Sequence, residues 1–352
     1  MIKHTRWRPL LIATFAFLAG ISGAQQEVKA QQQQIKIVGS STVFPFITSV
    51  AERFGRNTGF KTPIVESTGS GGGLKLFCSG IGDLTPDIAN ASRRIKQSEI
   101  DLCAQNGVKD IVEIKIGFDG IVLANSIGAE LVDFSRRDIF MALAKNIPAE
   151  DGRIIANPFS TWAQINPDLP DIAIEVMGPP PTSGTRDAFV ELVMEKGCET
   201  FDLVGELKSS DKSAYQALCQ TMREDGKYIE AGENDNLIVQ KLVANPFAYG
   251  IFGFGFLDSN TDMIQGNSID GVSPEFENIA FGSYPVSRSL YIYVKKAHVG
   301  QVAGIEEFLS ELMSQKASGP YGYLADKGMI PLSAKEHELW SERAKNLQNL
   351  QL

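Results

Sequence analysis

At three places in this chain a short apolar run leads into a loop of serine, threonine and glycine, and apolar residues at helical spacing follow. The loops are loop one (residues 40–43), loop two (residues 68–73) and loop three (residues 182–185). Strands that alternate with helices pair in parallel, and the helices then cover both faces of the sheet. The fold class predicted from this alternation is α/β.

The middle of the chain indicates a passage between two sheets. Apolar runs at 111–116 and 121–124 are separated only by residues 117–120, and residues 284–294 form a later strand pattern. Two crossings between two α/β lobes describe a cleft that can close. The predicted boundaries are a signal peptide at 1–24, a linker at 25–34, lobe 1 at 35–118 and 285–352, and lobe 2 at 119–284.

The first 24 residues are typical of a secretory signal peptide. Lys3, Arg6 and Arg8 precede a short apolar stretch, and residues 22–24 give a small-x-small cleavage pattern. Cleavage after Ala30 is an alternative, and so is an uncleaved anchor, although the apolar stretch is short for a bilayer. We therefore expect an exported protein.

The charge of the chain limits the classes of partner. Removal of residues 1–24 takes away three positive charges and no negative ones, so the net charge falls from −9 to −12. This balance argues against nucleic acid and against an anionic membrane as partners. An anionic ligand would have to be held by local donors, because the overall field repels it.

Four cysteines indicate disulfides in an exported protein: Cys78, Cys103, Cys198 and Cys219. They allow three pairings. The pairing Cys78–Cys103 with Cys198–Cys219 is favoured because each bond closes a short segment within one predicted lobe. A zinc site is the alternative, but the chain has no C-x-x-C and no histidine at ligand spacing. We predict no metal and no cofactor.

The three loops share a position that suits an anion. The first amides of a helix have no partner within the helix, and the helix dipole adds partial positive charge there. Ligands of open α/β sheets bind at the carboxyl ends of the strands. A plain helix cap would explain any one loop, but three loops of the same composition predict one oxyanion held from both lobes.

Charged residues near the loops are candidates for the same site. Arg93 and Arg186 each offer a fork of guanidinium donors. The alternative for Arg93 is a surface arginine, and for Arg186 it is an ion pair with a residue of its own helix. Asp119, at the first crossing, is a candidate proton acceptor, although a turn cap is the plainer interpretation.

Enzyme signals are weak in this sequence. His298 and His337 fall in late helical patterns and are interpreted as ordinary surface histidines, and His4 leaves with the signal peptide. The chain has no G-x-S-x-G elbow and no carboxylates at metal spacing. We expect no enzymatic activity, with a secreted phosphatase as the remaining alternative.

An ordered set of motifs resembles a known family. The motifs are Gly39-Ser40-Ser41-Thr42-Val43-x-Pro45, Thr68-Gly69-Ser70-Gly71-Gly72-Gly73, Asn90-Ala91-Ser92-Arg93, Thr182-Ser183-Gly184-Thr185 and Pro285-Val286-Ser287-Arg288. Over nearly all of residues 35–345 the chain resembles periplasmic phosphate-binding proteins of the ABC phosphate uptake system, in particular their SphX-type branch.

The resemblance implies both a fold and a function. The implied fold is the type II periplasmic-binding fold, with two lobes joined by two crossover strands and a ligand cleft between them. The implied function is that of a monomeric periplasmic receptor, which delivers inorganic phosphate to an inner-membrane ABC permease. The same fold with sulfate or arsenate as the ligand is the alternative.

The resemblance also implies the ligand-binding residues. Thr42 would donate through its hydroxyl, Val43 through its amide, and Ser70 through both groups. The complete predicted set is Ser41, Thr42, Val43, Ser70, Gly71, Ser92, Arg93, Ser183, Gly184, Thr185 and Arg186. Ser92 and Pro179 stand where the better-known branch has an aspartate and an arginine, so the discrimination between phosphate and other oxyanions stays open.

Overall fold

The structure, a computed structural model, describes residues 1, 34–181, 183–232 and 235–351. The predicted signal peptide beyond Met1, the predicted linker up to residue 33, and Thr182 of loop three lie outside these residues.

Thirteen strands occur in the described part of the chain. They are β1 (Lys36–Gly39), β2 (Ile64–Ser67), β3 (Ile88–Ala91), β4 (Ile111–Ser126), β5 (Asp133–Phe134), β6 (Asn146–Pro148), β7 (Ile154–Ala156), β8 (Val176–Gly178), β9 (Tyr228–Glu230), β10 (Tyr249–Gly253), β11 (Ile264–Gly266), β12 (Ser268–Ile269) and β13 (Ser287–Lys295).

The helices alternate with these strands. They are α1 (Phe44–Asn57), α2 (Ser70–Phe77), α3 (Gln97–Gln105), α4 (Arg136–Leu143), α5 (Gly184–Phe189), α6 (Glu195–Cys198), α7 (Asp202–Ser210), α8 (Lys212–Cys219), α9 (Asp235–Ala244), α10 (Phe254–Ser259), α11 (Phe276–Ala280), α12 (Ile305–Leu312), α13 (Gln315–Ser318) and α14 (Ala334–Lys345), with a π-helical turn at Val190–Met194 and a 3₁₀ turn at Lys296–His298.

Nine of the strands form one sheet, in the order β2-β1-β3-β13-β4-β10-β8-β9, with β11 also paired to β4. Strand β1 is parallel to β2 and β3, and β8 is parallel to β9 and β10. Strand β13 is antiparallel to β3 and β4, and β10 is antiparallel to β4. The sheet is therefore mixed, and the predicted α/β class is confirmed.

Strand β4 is the backbone link between the two ends of the sheet. Residues 111–120 pair with β13, whereas residues 121–126 pair with β10 and β11. The two apolar runs predicted here are thus one unbroken strand. We call β2, β1, β3, β13 and residues 111–120 of β4 the first half of the sheet, and residues 121–126 of β4 with β10, β11, β8 and β9 the second half.

Each half of the sheet has its own apolar packing. On one face of the first half, Phe54 of α1 meets the ring of Phe308 of α12 edge-on, with centroids 5.7 Å apart. Leu74 and Phe77 of α2 pack on the other face. In the second half, Trp162, Phe134 and Tyr249 form an aromatic cluster in the core. Helices cover both faces because each face is apolar.

Two segments in the later part of the chain depart from a simple strand or helix pattern. Residues 250–256 carry aromatic and aliphatic residues spaced by glycines, but strand β10 ends at Gly253 and helix α10 begins at Phe254. Residues 321–327 form a series of turns rather than a helix.

The two later histidines are buried, so the prediction of surface histidines was wrong. His298 Nδ1 lies 2.6 Å from a carboxylate oxygen of Asp87, and His337 Nε2 lies 3.0 Å from the Ser318 hydroxyl. Each imidazole has found polar partners within the core, and the helical pattern of the sequence did not reveal them.

Both predicted disulfides, Cys78–Cys103 and Cys198–Cys219, are formed. The first joins the end of α2 to α3 and the second joins α6 to α8. Among the described residues, no helix combines the length and the apolar character needed to cross a membrane.

Candidate functional site

Loops one and two lie side by side because β1 and β2 are parallel neighbours. The last residues of these strands, Gly39 and Ser67, are paired in register. A Cβ atom on Gly39 would lie 1.9 Å from the Asn90 carbonyl oxygen, and one on Gly73 would lie 2.4 Å from the Gly39 Cα. Only glycines permit such an approach, which brings α2 and the end of β3 against loop one.

Loop three meets loop one directly. It follows β8 in the second half of the sheet, whereas loop one follows β1 in the first half. A Cβ atom on Gly184 would lie 3.3 Å from the Ser41 carbonyl oxygen and 3.5 Å from the Thr42 Cα. The two halves of the sheet therefore contribute loops to one place.

Loop two is tied to the end of β3 by two hydroxyl groups. The side-chain oxygens of Ser70 and Ser92 are 3.2 Å apart, and the Ser92 amide donates to the Ser70 hydroxyl over 3.1 Å. Gly71 sits beside Arg93, since a Cβ atom at Gly71 would lie 3.7 Å from Arg93 Nη2. Residues of loop two and of the 92–93 segment thus share one surface.

The helices that follow loops one and two begin without a side-chain cap. Neither Val43, the N-cap of α1, nor Gly69, the N-cap of α2, accepts a hydrogen bond through its side chain. Helix α5 differs, because the Ser183 hydroxyl accepts from the Thr185 amide over 3.2 Å. The first amides of α2 are therefore available to an anion. In α1 the Phe44 amide donates to the Ser40 carbonyl oxygen and Pro45 has no N–H, so the candidate donor there is the Val43 amide just before the helix.

Arg288 of β13 is the cation that links the parts of this site. Its Nε donates to Asp119 over 3.3 Å, its Nη1 donates to Glu191 over 2.5 Å, and its Nη2 donates to the Thr42 hydroxyl oxygen. The Arg288 side chain is only 8% exposed. It joins loop one, the long strand β4 and the helical segment that follows loop three.

The residue-by-residue sequence reasoning missed Arg288 and Glu191. Arg288 belongs to a motif of the resemblance, but no pattern assigned it a partner. The missing information is the register of β13 on β4, in which Arg288 faces Asp119. Directly paired residues of neighbouring strands interact through their side chains, and that pairing is invisible before the strands are assembled.

Asp119 lies within β4 and is buried, so its interpretation as a turn cap was wrong. Burial raises the pKa of its carboxyl group, the Arg288 guanidinium acts in the opposite direction, and the charge of Glu191 adds to the increase. A carboxyl group whose charged form is disfavoured in this way is sensitive to any further negative charge nearby.

Arg93 is neither a free surface residue nor a free cation. Its guanidinium donates to both carboxylate oxygens of Glu99, over 2.7 and 3.0 Å. This hydrogen bonding raises the pKa of Arg93 further. Burial would raise the pKa of Glu99, but the bonds from Arg93 and from the Lys96 amide hold it below its usual range. The pair is close to neutral as a unit.

Arg186, predicted as a ligand contact, points to a carbonyl and an aromatic ring, and the alternative of an ion pair within its own helix is not formed among the described residues. Its Nη1 donates to the Pro179 carbonyl over 3.2 Å, and its guanidinium carbon lies 4.6 Å from the centroid of the Tyr228 ring. The residue is 9% exposed. Arg186 thereby holds the turn before loop three in place.

The structure thus brings together most of the predicted set. Those that meet around loop one, loop two and the 92–93 segment are Ser41, Thr42, Val43, Ser70, Gly71, Ser92, Arg93 and Gly184. Ser183 and Thr185 adjoin them at the start of α5, and Thr182 lies outside the described residues.

A protein-family model described as a PBP superfamily domain matches residues 24–316. The protein SphX of Synechococcus elongatus is 27% identical over 349 residues, which cover 97% of this chain and 90% of that protein. The phosphate-binding protein PstS of Staphylococcus saprophyticus is 28% identical over 313 residues, covering 86% of this chain and 82% of that protein.

Solved structures agree with this match. One described as "a possible phosphate binding protein" from Planctomyces limnophilus has a TM-score of 0.71 and 26% identity, and the match covers 90% of this chain and 99% of that one. An ABC-type phosphate transport receptor from Vibrio cholerae has a TM-score of 0.53 at 19% identity, covering 84% and 99%, and shows the fold alone. The predicted fold and the family resemblance are confirmed.

Proposed function

The chain belongs to the PBP superfamily, and from that premise we propose that it is a substrate-binding protein, not an enzyme, that captures inorganic phosphate for an ABC-type permease. The relatives support this proposal, since one is named a phosphate-binding protein and a solved structure with 26% identity is described as a possible phosphate binding protein. The geometry of the site supports phosphate as the ligand.

One observation carries the proposal: two uncapped helix N-termini, a third loop from the other half of the sheet and a buried arginine converge on one place. The helices are α1 and α2, and the arginine is Arg288. A tetrahedral oxyanion taken out of water needs donors on every oxygen. Donors that arrive from several directions meet that need.

The roles of the individual residues follow from where they lie. In the first half of the sheet, the Thr42 hydroxyl, the Val43 amide, the Ser70 hydroxyl and amide, and the Gly71 amide would donate to phosphate. From the second half, the groups at the start of α5 would donate: Ser183, Gly184 and Thr185. Arg288 supplies the positive charge at short range, and the Arg93–Glu99 pair borders the site.

Capture would involve closure of the two halves of the sheet. The lobes predicted from the sequence, residues 35–118 with 285–352 and residues 119–284, would be the units that close. Donors that only the closed arrangement brings together shift the population toward it when phosphate binds. The close approach of Gly184 to Ser41 supports loop one and loop three as the contact made on closure.

The setting of the protein follows from the same proposal. The N-terminal sequence supports export to the periplasm, where the receptor would act as a monomer and hand phosphate to an inner-membrane permease. The two disulfides suit an oxidising compartment.

Calorimetry with a matched pair of threonine variants tests the ligand assignment. Wild type should bind one phosphate. Thr42→Val should weaken binding roughly 10- to 100-fold, because hydrogen bonds to charged groups are worth up to about 3 kcal/mol. Thr48→Val is the control, since Thr48 lies in α1, the helix that follows Thr42, and its hydroxyl has no partner among the described residues.

The result also separates the alternatives. Absence of heat with phosphate, or equal effects of the two threonine substitutions, would refute the proposal. Tighter binding of sulfate or arsenate than of phosphate would leave the fold assignment intact and identify another oxyanion as the ligand. Hydrolysis of a phosphomonoester would instead favour a phosphatase.

A further inference from the structure

We propose that Glu191 is a displaceable internal competitor for the anion site: its carboxylate pairs with Arg288 when no anion is bound, and phosphate must displace it. This inference rests on the proposed function. Glu191 would be a residue of the site that lowers the affinity for phosphate, whereas the donors of loops one, two and three raise it.

The contacts of Arg288 carry the inference. The Nη1 atom that donates to Glu191 over 2.5 Å belongs to the same guanidinium as the Nη2 atom that donates to the Thr42 hydroxyl. Thr42 belongs to loop one and precedes the uncapped start of α1. The Glu191 carboxylate is therefore bound to the cation of the proposed phosphate site, beside one of its donors.

The two partners differ in their freedom to move. The Glu191 side chain is 55% exposed, whereas that of Arg288 is 8% exposed and is held by Asp119 and Thr42 as well. Glu191 can rotate into solvent at little cost, because a charged group that stays hydrated loses no solvation. Arg288 stays in place, so an incoming anion can accept the hydrogen bond from Nη1 that Glu191 has released.

The charge balance at this place gives Glu191 its effect. Besides the hydrogen bonds that Arg93 donates to Glu99, the charge of Glu191 contributes to the raised pKa of Arg93, and it adds to the effect of burial on Asp119. The negative charge of Glu191 thus acts on Arg93 and Asp119 as well as on Arg288. A further anion would be repelled while this carboxylate remained, since like charges at short range disfavour one another.

The position of Glu191 couples its movement to loop three. The helical segment that begins at Gly184 passes into a π-helical turn at Val190–Met194, and Glu191 lies in that turn. Turns of this kind interrupt α-helices frequently at functional sites. The same segment therefore supplies donors at its start and the competing carboxylate two turns later.

Glu191→Gln tests the inference by phosphate calorimetry. The variant removes the negative charge at nearly constant volume, and phosphate should bind roughly 2- to 5-fold more tightly, the range expected for a partly exposed ion pair. Glu206→Gln is the matched control, because Glu206 is an exposed glutamate of α7 in the same part of the chain. It should leave the affinity unchanged.

Glu191→Asp distinguishes the effect of the ion pair with Arg288 from simple repulsion between the carboxylate and phosphate. The shorter side chain keeps the charge but should lose the contact with Arg288, so its affinity should rise toward that of Glu191→Gln. Unchanged or weaker binding by Glu191→Gln would overturn the inference, and so would wild-type affinity in Glu191→Asp. Wild type that binds no phosphate would instead refute the proposed function, so the two failures are distinguishable.

Discussion

At the scale of single residues, glycine and arginine decide the shape of the site. Gly39 has φ +146° and lies against the Asn90 carbonyl, and this closeness sets β3 beside loop one. Arg288 then connects three segments of the site by donating hydrogen bonds to Asp119, Glu191 and Thr42. Position 39 needs a residue without a side chain, because the backbone of β3 passes too close for a Cβ atom. Position 288 needs a long side chain with several donors, because it contacts three separate segments.

Gly39→Ala is expected to destabilise the protein by at least about 2 kcal/mol, because a Cβ there clashes with backbone and the φ is strained for any other residue. The free energy of unfolding in urea measures the loss. Gly59→Ala is the control, since nothing lies within 4 Å of a Cβ at Gly59 and it should change stability by no more than about 0.5 kcal/mol. Equal losses in both variants would contradict the prediction.

At the scale of elements, the long antiparallel pair β4–β13 carries Asp119 and Arg288 of the site and continues into the core of the first half of the sheet. Lys295, the last residue of β13, is fully buried and donates to the Thr85 hydroxyl over 2.7 Å. Its Nζ lies 5.2 Å from the centroid of the Phe77 ring. Burial lowers the pKa of Lys295 to about 8, while Asp87 acts in the opposite direction.

This lowered pKa predicts a pH dependence with a defined sign. Between pH about 8 and the ordinary lysine pKa of about 10.4, the unfolded chain binds more protons than the folded one. The stability of wild type relative to Lys295→Met should therefore rise with pH in this window, by at most about 1.4 kcal/mol per pH unit. Urea denaturation at pH 7.5, 9 and 10 measures it.

Lys109→Met, a substitution of an exposed lysine, provides the comparison for this titration. The difference between wild type and Lys109→Met should stay flat over the same window. A difference between wild type and Lys295→Met that falls as the pH rises would contradict the assigned sign.

The disulfides act at the same scale, since each joins two helices. The Cys198–Cys219 bond has a sequence separation of 21 and the Cys78–Cys103 bond one of 25. Loop-closure entropy depends only weakly on such a difference, so each pair of Cys→Ser substitutions should cost about 3 kcal/mol. Urea unfolding of the two double variants tests this, and a loss below about 1 kcal/mol in either would contradict the entropic account.

At the scale of the whole molecule, the two halves of the sheet share β4 and meet again where loop three contacts loop one. A ligand held between the halves would oppose their separation. Its binding energy is then added to the stability of the entire fold.

Phosphate should therefore raise the melting temperature. At 100 times the dissociation constant, a ligand that binds only the folded state adds about 2.7 kcal/mol, which corresponds to a rise of about 5 °C for a protein of this size. Differential scanning calorimetry measures the shift. Chloride at equal ionic strength is the control, and the same rise with chloride would point to general salt effects.

The sequence by itself determined the features that depend on local chain chemistry. The alternation of strands, loops and helices set the α/β class, and the cysteine spacing favoured the two disulfides that form. The three loops were found from their composition, because helix starts favour serine and threonine, and close backbone approach favours glycine, whatever the rest of the fold. The ordered motifs identified the family.

Only the tertiary structure decided how distant residues pair. The register of β13 on β4 placed Arg288 against Asp119, and packing of the segment after loop three brought Glu191 to the same guanidinium. Assembly also buried His298 and Lys295. The physical reason is that charge pairing and burial depend on distances in space between chain segments, and sequence patterns report only the local geometry of each segment.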